Sequence, residues 1–124
     1  MRHVLTGEIY AADLEPVQGS EQAGSRPVVV FQNPSLAHFT STALCIPLTT
    51  NMKRLGLPGT CLVQRGGGGL HQDSVALAFQ MRALDISRLP RRIGRVSSGT
   101  IRDLGEAVLN ALGIDMETES SAKG

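Results

Sequence analysis

The strongest constraint on the fold of this chain is a change in the spacing of its apolar residues. Most of the chain consists of short apolar runs separated by glycine, proline and asparagine, a pattern typical of β-strands joined by turns. In the C-terminal part the apolar residues fall three or four apart, as on one face of a helix: Ile101, Leu104, Val108, Ala111 and Leu112. Short strands followed by one amphipathic helix predict a mainly β protein, a small barrel or curled sheet with the helix packed on it.

The apolar runs predict five strands, at residues 4–14, 28–31, 41–48, 59–65 and 74–84. Residues 15–27 are rich in glycine, serine, glutamine and proline, which predicts a loop. Four consecutive glycines at 66–69 predict a flexible hairpin tip, because ordering glycine into one conformation costs more conformational entropy than ordering any other residue.

The helix has predicted caps at both ends. Ser97 or Ser98 can accept a hydrogen bond from the first turn, and Gly113 can end the helix in a left-handed conformation. Before the helix, residues 85–95 are expected to hold one short helical turn that is broken at Pro90.

The length of 124 residues fits a single domain, which we place at residues 1–114. The polar, acidic residues 115–124 are expected to form a disordered tail. No apolar leader segment follows Met1, and no run approaches the roughly 20 apolar residues of a membrane span. We therefore expect a cytoplasmic protein with no membrane partner. Cys45 and Cys61 lie in apolar surroundings without a C-x-x-C pair, which predicts two buried, reduced thiols.

The charge and the aromatic content limit how the chain could bind nucleic acid. Aromatics make up only 3%, which argues against domains that hold successive bases on rows of aromatic rings. Because the formal net charge is only +1, any such binding must depend on a local patch. One cluster of arginines fits either a solvated turn or a phosphate-facing surface, and both interpretations stay open: Arg88, Arg91, Arg92 and Arg95.

Common catalytic motifs are absent from the sequence. The three histidines, His3, His38 and His71, lack the spacing of metal ligands, and the chain has neither a P-loop nor a G-x-S-x-G motif. We therefore expect no metal and no cofactor. These patterns by themselves indicate only a β-rich domain.

One longer motif is more specific. Residues 19–30 read G-S-E-Q-x-G-x-R-P-x-V-V, which closely resembles the first-loop motif of the MazF/PemK toxin family. Further blocks resemble the strands of that family in the same order, at residues 7–10, 13–16, 32–33, 47–50 and 73–77, together with Gln80, Arg82 and Asp85. The resemblance extends over residues 7–113, nearly the whole chain.

The resemblance implies a fold, an activity and partners. The fold would be an SH3-like, partly closed antiparallel barrel with a C-terminal helix. The activity would be that of the toxin in a toxin–antitoxin pair, a sequence-specific, metal-independent endoribonuclease that cleaves single-stranded RNA. A ribose 2′-OH would attack the adjacent phosphate, leaving a 2′,3′-cyclic phosphate and a 5′-OH. The partners would be single-stranded RNA, a cognate antitoxin protein and a second copy of the chain in a homodimer.

By the same resemblance, Arg26 and Thr49 correspond to the catalytic arginine and threonine of the family. A planar, permanently charged guanidinium suits two-pronged contact with phosphate oxygens, and the threonine hydroxyl can donate to another phosphate oxygen. Ser20, Glu21 and Gln22 are expected to contact RNA or to order the first loop. Further RNA-binding candidates are Asn51 and Gln80, since amides can read the edges of unpaired bases.

The chain departs from the family pattern at two positions. Phe79 stands where many relatives carry an acid, and Ser20 stands where one branch carries a histidine. Both missing groups are candidate proton-transfer residues, so no general base is assigned. Two alternatives remain: a CcdB-like toxin that binds gyrase through the same barrel, and a catalytically inactive module that binds RNA or antitoxin.

Overall fold

The computed structural model of the protein describes residues 2–14 and 24–115. These residues contain seven strands and one α-helix, together with several short 3-10 turns. The strands are β1 (Glu8–Leu14), β2 (Gly24–Val30), β3 (Thr42–Thr49), β4 (Thr60–Val63), β5 (Ser74–Leu77), β6 (Arg82–Asp85) and β7 (Arg91–Arg95), and the helix is α1 (Ser98–Leu112). They fall within the predicted domain at 1–114, and residues 116–124 of the predicted tail lie outside the described part of the chain.

The strands form one antiparallel sheet in the order β4-β5-β3-β2-β1-β7, and β6 also pairs with β3. The two end strands of this order, β4 and β7, do not pair with each other, so the sheet does not close into a complete barrel. This arrangement with its C-terminal helix confirms the predicted partly closed antiparallel barrel.

β3 organises the sheet because it is paired along both edges. One edge pairs with β2, and the other pairs first with β6 and then with β5. Between the pairs Cys45–Arg82 and Leu48–Ala76, the segment that joins β5 to β6 has three more residues than the facing part of β3. The extra residues bulge outward as the 3-10 turn Ala78–Gln80. The predicted single strand at 74–84 is therefore wrong, because this turn divides it into β5 and β6.

The sheet buries apolar side chains on both faces. In β2, Val29 joins a core beneath the helix, with Ile46 and Leu104. Val28 and Val30 point the other way, into a second core. Continuous apolar runs such as the valines of β2 are expected where both faces of a strand are covered.

The helix is capped as predicted. The Ser97 side chain accepts from the backbone N–H of Thr100 at 3.2 Å, and Gly113 ends the helix with a φ of 75°. The helix packs over β4 and the turn Ala78–Gln80. The Oδ1 of Asn110 accepts from the backbone N–H of Gly59 at 3.2 Å, which ties the end of the helix to the start of β4.

Two more local predictions need correction. β2 begins at Gly24, so the last residues of the predicted loop 15–27 are strand residues paired with β1. The turn Ile86–Arg88 confirms the helical turn expected in 85–95, but β7 was missed. A five-residue strand of mostly charged residues has little apolar pattern of its own, and it forms because β1 offers an unpaired edge.

The glycine run at 66–69 is not a flexible tip. Gly68 is buried, and a Cβ added there would lie 2.5 Å from Cδ1 of Ile9. The run is instead a tight turn, and at Gly68 and Gly69 it lies directly against β1 and β7, where only glycine leaves enough space. Among the described residues, no helix has the length and apolar character needed to cross a membrane.

Candidate active site

An open groove of about 420 Å³ lies where β2 begins and β3 ends. Four of the predicted site residues line it together: Arg26, Thr49, Asn51 and Gln80. The remaining lining residues that the structure describes are mainly apolar, with two further arginines: Leu14, Val28, Cys45, Pro47, Leu48, Arg54, Leu77, Arg82 and Leu84.

The pairing of β2 with β3 brings Arg26 and Thr49 to the same place. Val28 is opposite Pro47 in this antiparallel pair. Arg26 lies two residues before Val28, and Thr49 lies two residues after Pro47. Because side chains alternate along strands, both project on the groove face of the sheet. Residues 23 positions apart in the chain therefore reach one site through strand register alone.

Thr49 and Asn51 are held by a local turn. The backbone N–H of Asn51 donates to Oγ1 of Thr49 at 3.2 Å. Oδ1 of Asn51 accepts from the backbone N–H of Lys53 at 3.1 Å and caps the 3-10 turn Met52–Arg54. The amide group of Asn51 thus uses its oxygen for the turn and keeps its N–H₂ for a ligand in the groove.

Gln80 reaches the groove because of the bulge between β5 and β6. The backbone N–H of Ala78 donates to the Gly59 carbonyl at 2.8 Å, and that of Met81 donates to the Ala78 carbonyl at 3.1 Å. These bonds hold the turn Ala78–Gln80 firmly. Gln80 itself is exposed, so its amide is accessible to a ligand.

The groove is cationic. The described residues that line it include Arg26, Arg54 and Arg82. None of the described lining residues carries a carboxylate or an imidazole. Three guanidinium groups around a cleft raise the local concentration of anions, and phosphate is the anion that a planar guanidinium fits best. A formal net charge of only +1 is thus compatible with a strongly positive local site.

Two of the three arginines were missed by the sequence analysis. Arg82 lies opposite Cys45 in the pairing of β6 with β3. The family resemblance included Arg82 as a strand residue but gave it no role in the site. Arg54 belongs to a loop turn with no motif around it, and only the folded chain brings it to the groove.

Burial favours the protonated form of both cysteine thiols, which is the less nucleophilic form. Burial raises the pKa of the Cys45 thiol to about 12, although the nearby Arg82 opposes the rise. Burial, together with the charge of Asp103, raises the pKa of Cys61 to about 11. Both thiols are free, as predicted. Cys61 is only partly buried, so the expectation of two buried cysteines is correct for Cys45 alone.

Other predicted features fall elsewhere or outside the described residues. Ser20, Glu21 and Gln22 lie outside the described residues. The arginine cluster does not form one patch. Arg92 forms an ion pair with Glu8 at 2.8 Å, whereas Arg91 lines a separate cavity. Within residues 2–14 and 24–115, no group of three or more His, Cys, Asp or Glu side chains is arranged to hold a metal ion.

The fold and the groove together define a small, open β-barrel protein with a cationic cleft. Residues 5–112 match the family model described as PemK-like, MazF-like toxin of type II toxin–antitoxin system. The chain belongs to this family. A relative named Endoribonuclease MazF, from Staphylococcus saprophyticus, is 34% identical over 108 residues, covering 87% of this chain and 90% of the relative.

Solved structures show the same fold. The Mycobacterium tuberculosis toxin MazF-mt6 superposes with a TM-score of 0.71 at 25% identity, covering 87% of this chain and 98% of the other. A mycobacterial endoribonuclease in complex with its cognate antitoxin superposes with a TM-score of 0.74 at 22% identity, covering 90% of this chain and 97% of the other.

Proposed function

We propose that this toxin is an endoribonuclease that cleaves single-stranded RNA at specific sequences in the groove of Arg26 and Thr49. The observation that carries the proposal is that Arg26, Thr49, Asn51 and Gln80 line one cationic cleft. The name of the staphylococcal relative, Endoribonuclease MazF, supports the same activity.

The proposed reaction needs no atom from outside the RNA. The 2′-oxygen of one nucleotide attacks the adjacent phosphorus, and the bond from phosphorus to the 5′-oxygen of the next nucleotide breaks. The 2′-OH loses its proton and the leaving 5′-oxygen gains one. The products therefore carry a 2′,3′-cyclic phosphate and a 5′-OH.

The groove side chains suit the charge that develops in this reaction. The Arg26 guanidinium would contact two phosphate oxygens, and the Thr49 hydroxyl would donate to one of them. Fixed donors aimed at developing negative charge often contribute the largest part of catalysis. The described lining residues offer no carboxylate or imidazole as a base. We therefore assign the rate enhancement to positioning and charge stabilisation.

The direct test is to incubate the purified protein with a long single-stranded RNA and to sequence the new ends. We expect cuts at one short recurring sequence, with 5′-OH ends that a kinase labels without prior phosphatase treatment. Cleavage should continue in excess EDTA. Activity that returns only on addition of Mg²⁺ would contradict a metal-independent mechanism.

The partners of the chain are further proposals. We propose a cytoplasmic homodimer whose groove is also bound by a cognate antitoxin; the antitoxin complex of the mycobacterial neighbour supports the last point. Exposed apolar side chains such as Leu55, Leu57 and Leu112 are consistent with a surface that a second copy covers. Light scattering at micromolar concentration should give the mass of two chains.

Two alternatives predict different results in the RNA assay. A CcdB-like toxin would leave RNA intact and inhibit gyrase. An inactive binding module would bind the RNA without new ends, and the absence of a base among the described groove residues is the feature that favours it. The three arginines of the groove favour RNA binding over the CcdB-like alternative, and the presence or absence of new ends decides between the ribonuclease and the inactive module.

A further inference from the structure

Phe79 is an exposed aromatic residue on a rigid support. Its side chain lies on the bulge between β5 and β6, next to Gln80, and is 43% exposed. The Gly59 carbonyl accepts the backbone N–H groups of both Ala78 and Phe79, at 2.8 and 3.3 Å. A Cβ added to Gly59 would lie 3.3 Å from Cβ of Phe79, so the turn is packed closely on the start of β4. The backbone that carries the ring is therefore fixed before any ligand binds.

Arg54 lies over this ring. The guanidinium carbon of Arg54 is 5.8 Å from the centroid of the Phe79 ring, within the range of a cation–π interaction. Arg54 belongs to the turn Met52–Arg54, whose N-cap is Asn51. Phe79 does not itself line the groove, but Arg54, which lies over its ring, and Gln80, its neighbour in sequence, both do. The guanidinium and the ring thus lie in contact next to the groove.

Both groups share one chemical preference. Aromatic rings and guanidinium planes are the two side-chain surfaces on which unpaired RNA bases stack. Gln80 adds an amide that can bond to the edge of a stacked base. The apolar ring, the cation and the amide match the three properties of a nucleotide: the base face, the phosphate charge and the base edge.

We propose that Phe79 and Arg54 form a stacking platform that holds one unpaired base beside the scissile phosphate. The inference rests on the proposed ribonuclease function and names the specificity element of that site. A purine presents a larger face than a pyrimidine, so the platform favours a purine at the position that it contacts. Phe79 acts here by positioning the substrate and takes no part in bond breaking.

The test compares Phe79→Leu and Phe79→Trp with wild type on short RNAs that differ in single bases around the mapped cut. Stacking of a base on an aromatic ring strengthens binding, so its loss in Phe79→Leu should raise KM about tenfold. The value of kcat should stay that of wild type, because the ring takes no part in bond breaking. The purine preference at one position should be lost in Phe79→Leu and retained in Phe79→Trp. The matched control is Phe39→Leu, since Phe39 is also exposed and lies on a different turn.

A binding experiment separates failure of the platform from failure of the ribonuclease. A non-cleavable oligonucleotide with 2′-deoxyribose throughout carries 2-aminopurine at each position in turn. Quenching of the 2-aminopurine fluorescence at one position by wild type, and its absence in Phe79→Leu, supports the platform even if wild type cuts no RNA. Wild-type KM, base preference and quenching in Phe79→Leu would overturn it. A dimeric wild type with a monomeric Phe79→Leu would also overturn it, because the ring would then pack against a second copy.

Discussion

The backbone N–H of Asn51 donates a hydrogen bond to Oγ1 of Thr49 across 3.2 Å. This bond occupies a lone pair of the threonine oxygen and leaves the hydroxyl hydrogen free to point into the groove. A hydroxyl in this arrangement is a hydrogen-bond donor toward the groove. Asn51 therefore positions Thr49 for the donor role that the proposed mechanism assigns to it.

The hydroxyl of Thr49 can be tested by a matched set of variants. Thr49→Val keeps the branched shape and removes the donor, so we expect kcat to fall by about tenfold or more, as for a hydrogen bond to a charged group. Thr49→Ser keeps the donor and should retain most of the rate. Single-turnover cleavage of a fluorogenic RNA measures both. Wild-type rates in Thr49→Val would remove Thr49 from the mechanism.

Arg26 should matter more than Thr49 because it supplies a full charge. We expect Arg26→Ala to lower the cleavage rate at least about a hundredfold, the usual effect of losing a focused electrostatic contact. Arg26→Lys should restore only part of the rate, since a point charge replaces a planar fork. The control is Arg102→Ala, an exposed arginine of α1 outside the groove. Similar rates for Arg26→Ala and Arg102→Ala would show that the site is misassigned.

The nucleophile can be identified with chimeric substrates. All-DNA of the preferred sequence should bind and resist cleavage, because it lacks every 2′-OH. A single ribonucleotide on the 5′ side of the cut should restore cleavage, and moving it by one position should abolish cleavage again. Denaturing gels of end-labelled oligonucleotides show each result. Efficient cutting of the all-DNA strand would exclude attack by the 2′-OH.

The buried carboxylate of Glu8 is expected to stabilise the fold without a part in catalysis. Glu8 is only 8% exposed and accepts from the backbone N–H of Leu5, the Tyr10 hydroxyl and Nε of Arg92. Glu8→Ala leaves these donors without a partner, which should lower the free energy of unfolding by roughly 3 kcal/mol. Arg92→Ala should cost less, since the Arg92 side chain is 50% exposed. Urea unfolding of the two variants measures both losses of stability. A larger loss in Arg92→Ala than in Glu8→Ala would refute the prediction.

The thiol of Cys45 should make stability depend on pH in the alkaline range. Burial raises its pKa from 9.0 to about 12, so the folded state holds the proton more tightly than the unfolded state. The resulting stability is complete below pH 9 and is lost as the pH rises toward 12. The free energy of unfolding of wild type should therefore fall faster between pH 8 and pH 10 than that of Cys45→Ala. Equal slopes in urea unfolding under reducing conditions would count against a buried, protonated thiol.

Elements with a strong local pattern were predicted correctly. The helix with its caps at Ser97 and Gly113, the valine strand of β2 and the strand β3 all follow from spacing and local hydrogen bonding. The errors fall where long-range pairing decides the conformation. The charged residues of β7 are a strand because β1 has an open edge, and the glycine run is rigid because β1 and β7 pack against it.

Arg26 and Thr49 could be proposed as the catalytic pair only because the motif at residues 19–30 and the block around Thr49 resemble a known family. Nothing in their local sequence would have joined Arg26 to Thr49. Arg54 belongs to no such motif, and Arg82 belongs to a matched block but was given no role, so neither was predicted to line the groove.

The sequence by itself determined the helix, most of the strands, the family and the identity of the two proposed catalytic residues, because these depend on local periodicity and on ordered motifs. Tertiary structure alone decided which side chains share the groove. Strand register places Arg26 beside Thr49, and the three-residue bulge between β5 and β6 turns Phe79 and Gln80 toward Arg54. Register and bulges arise from pairing between distant segments, so no local pattern in the chain encodes them.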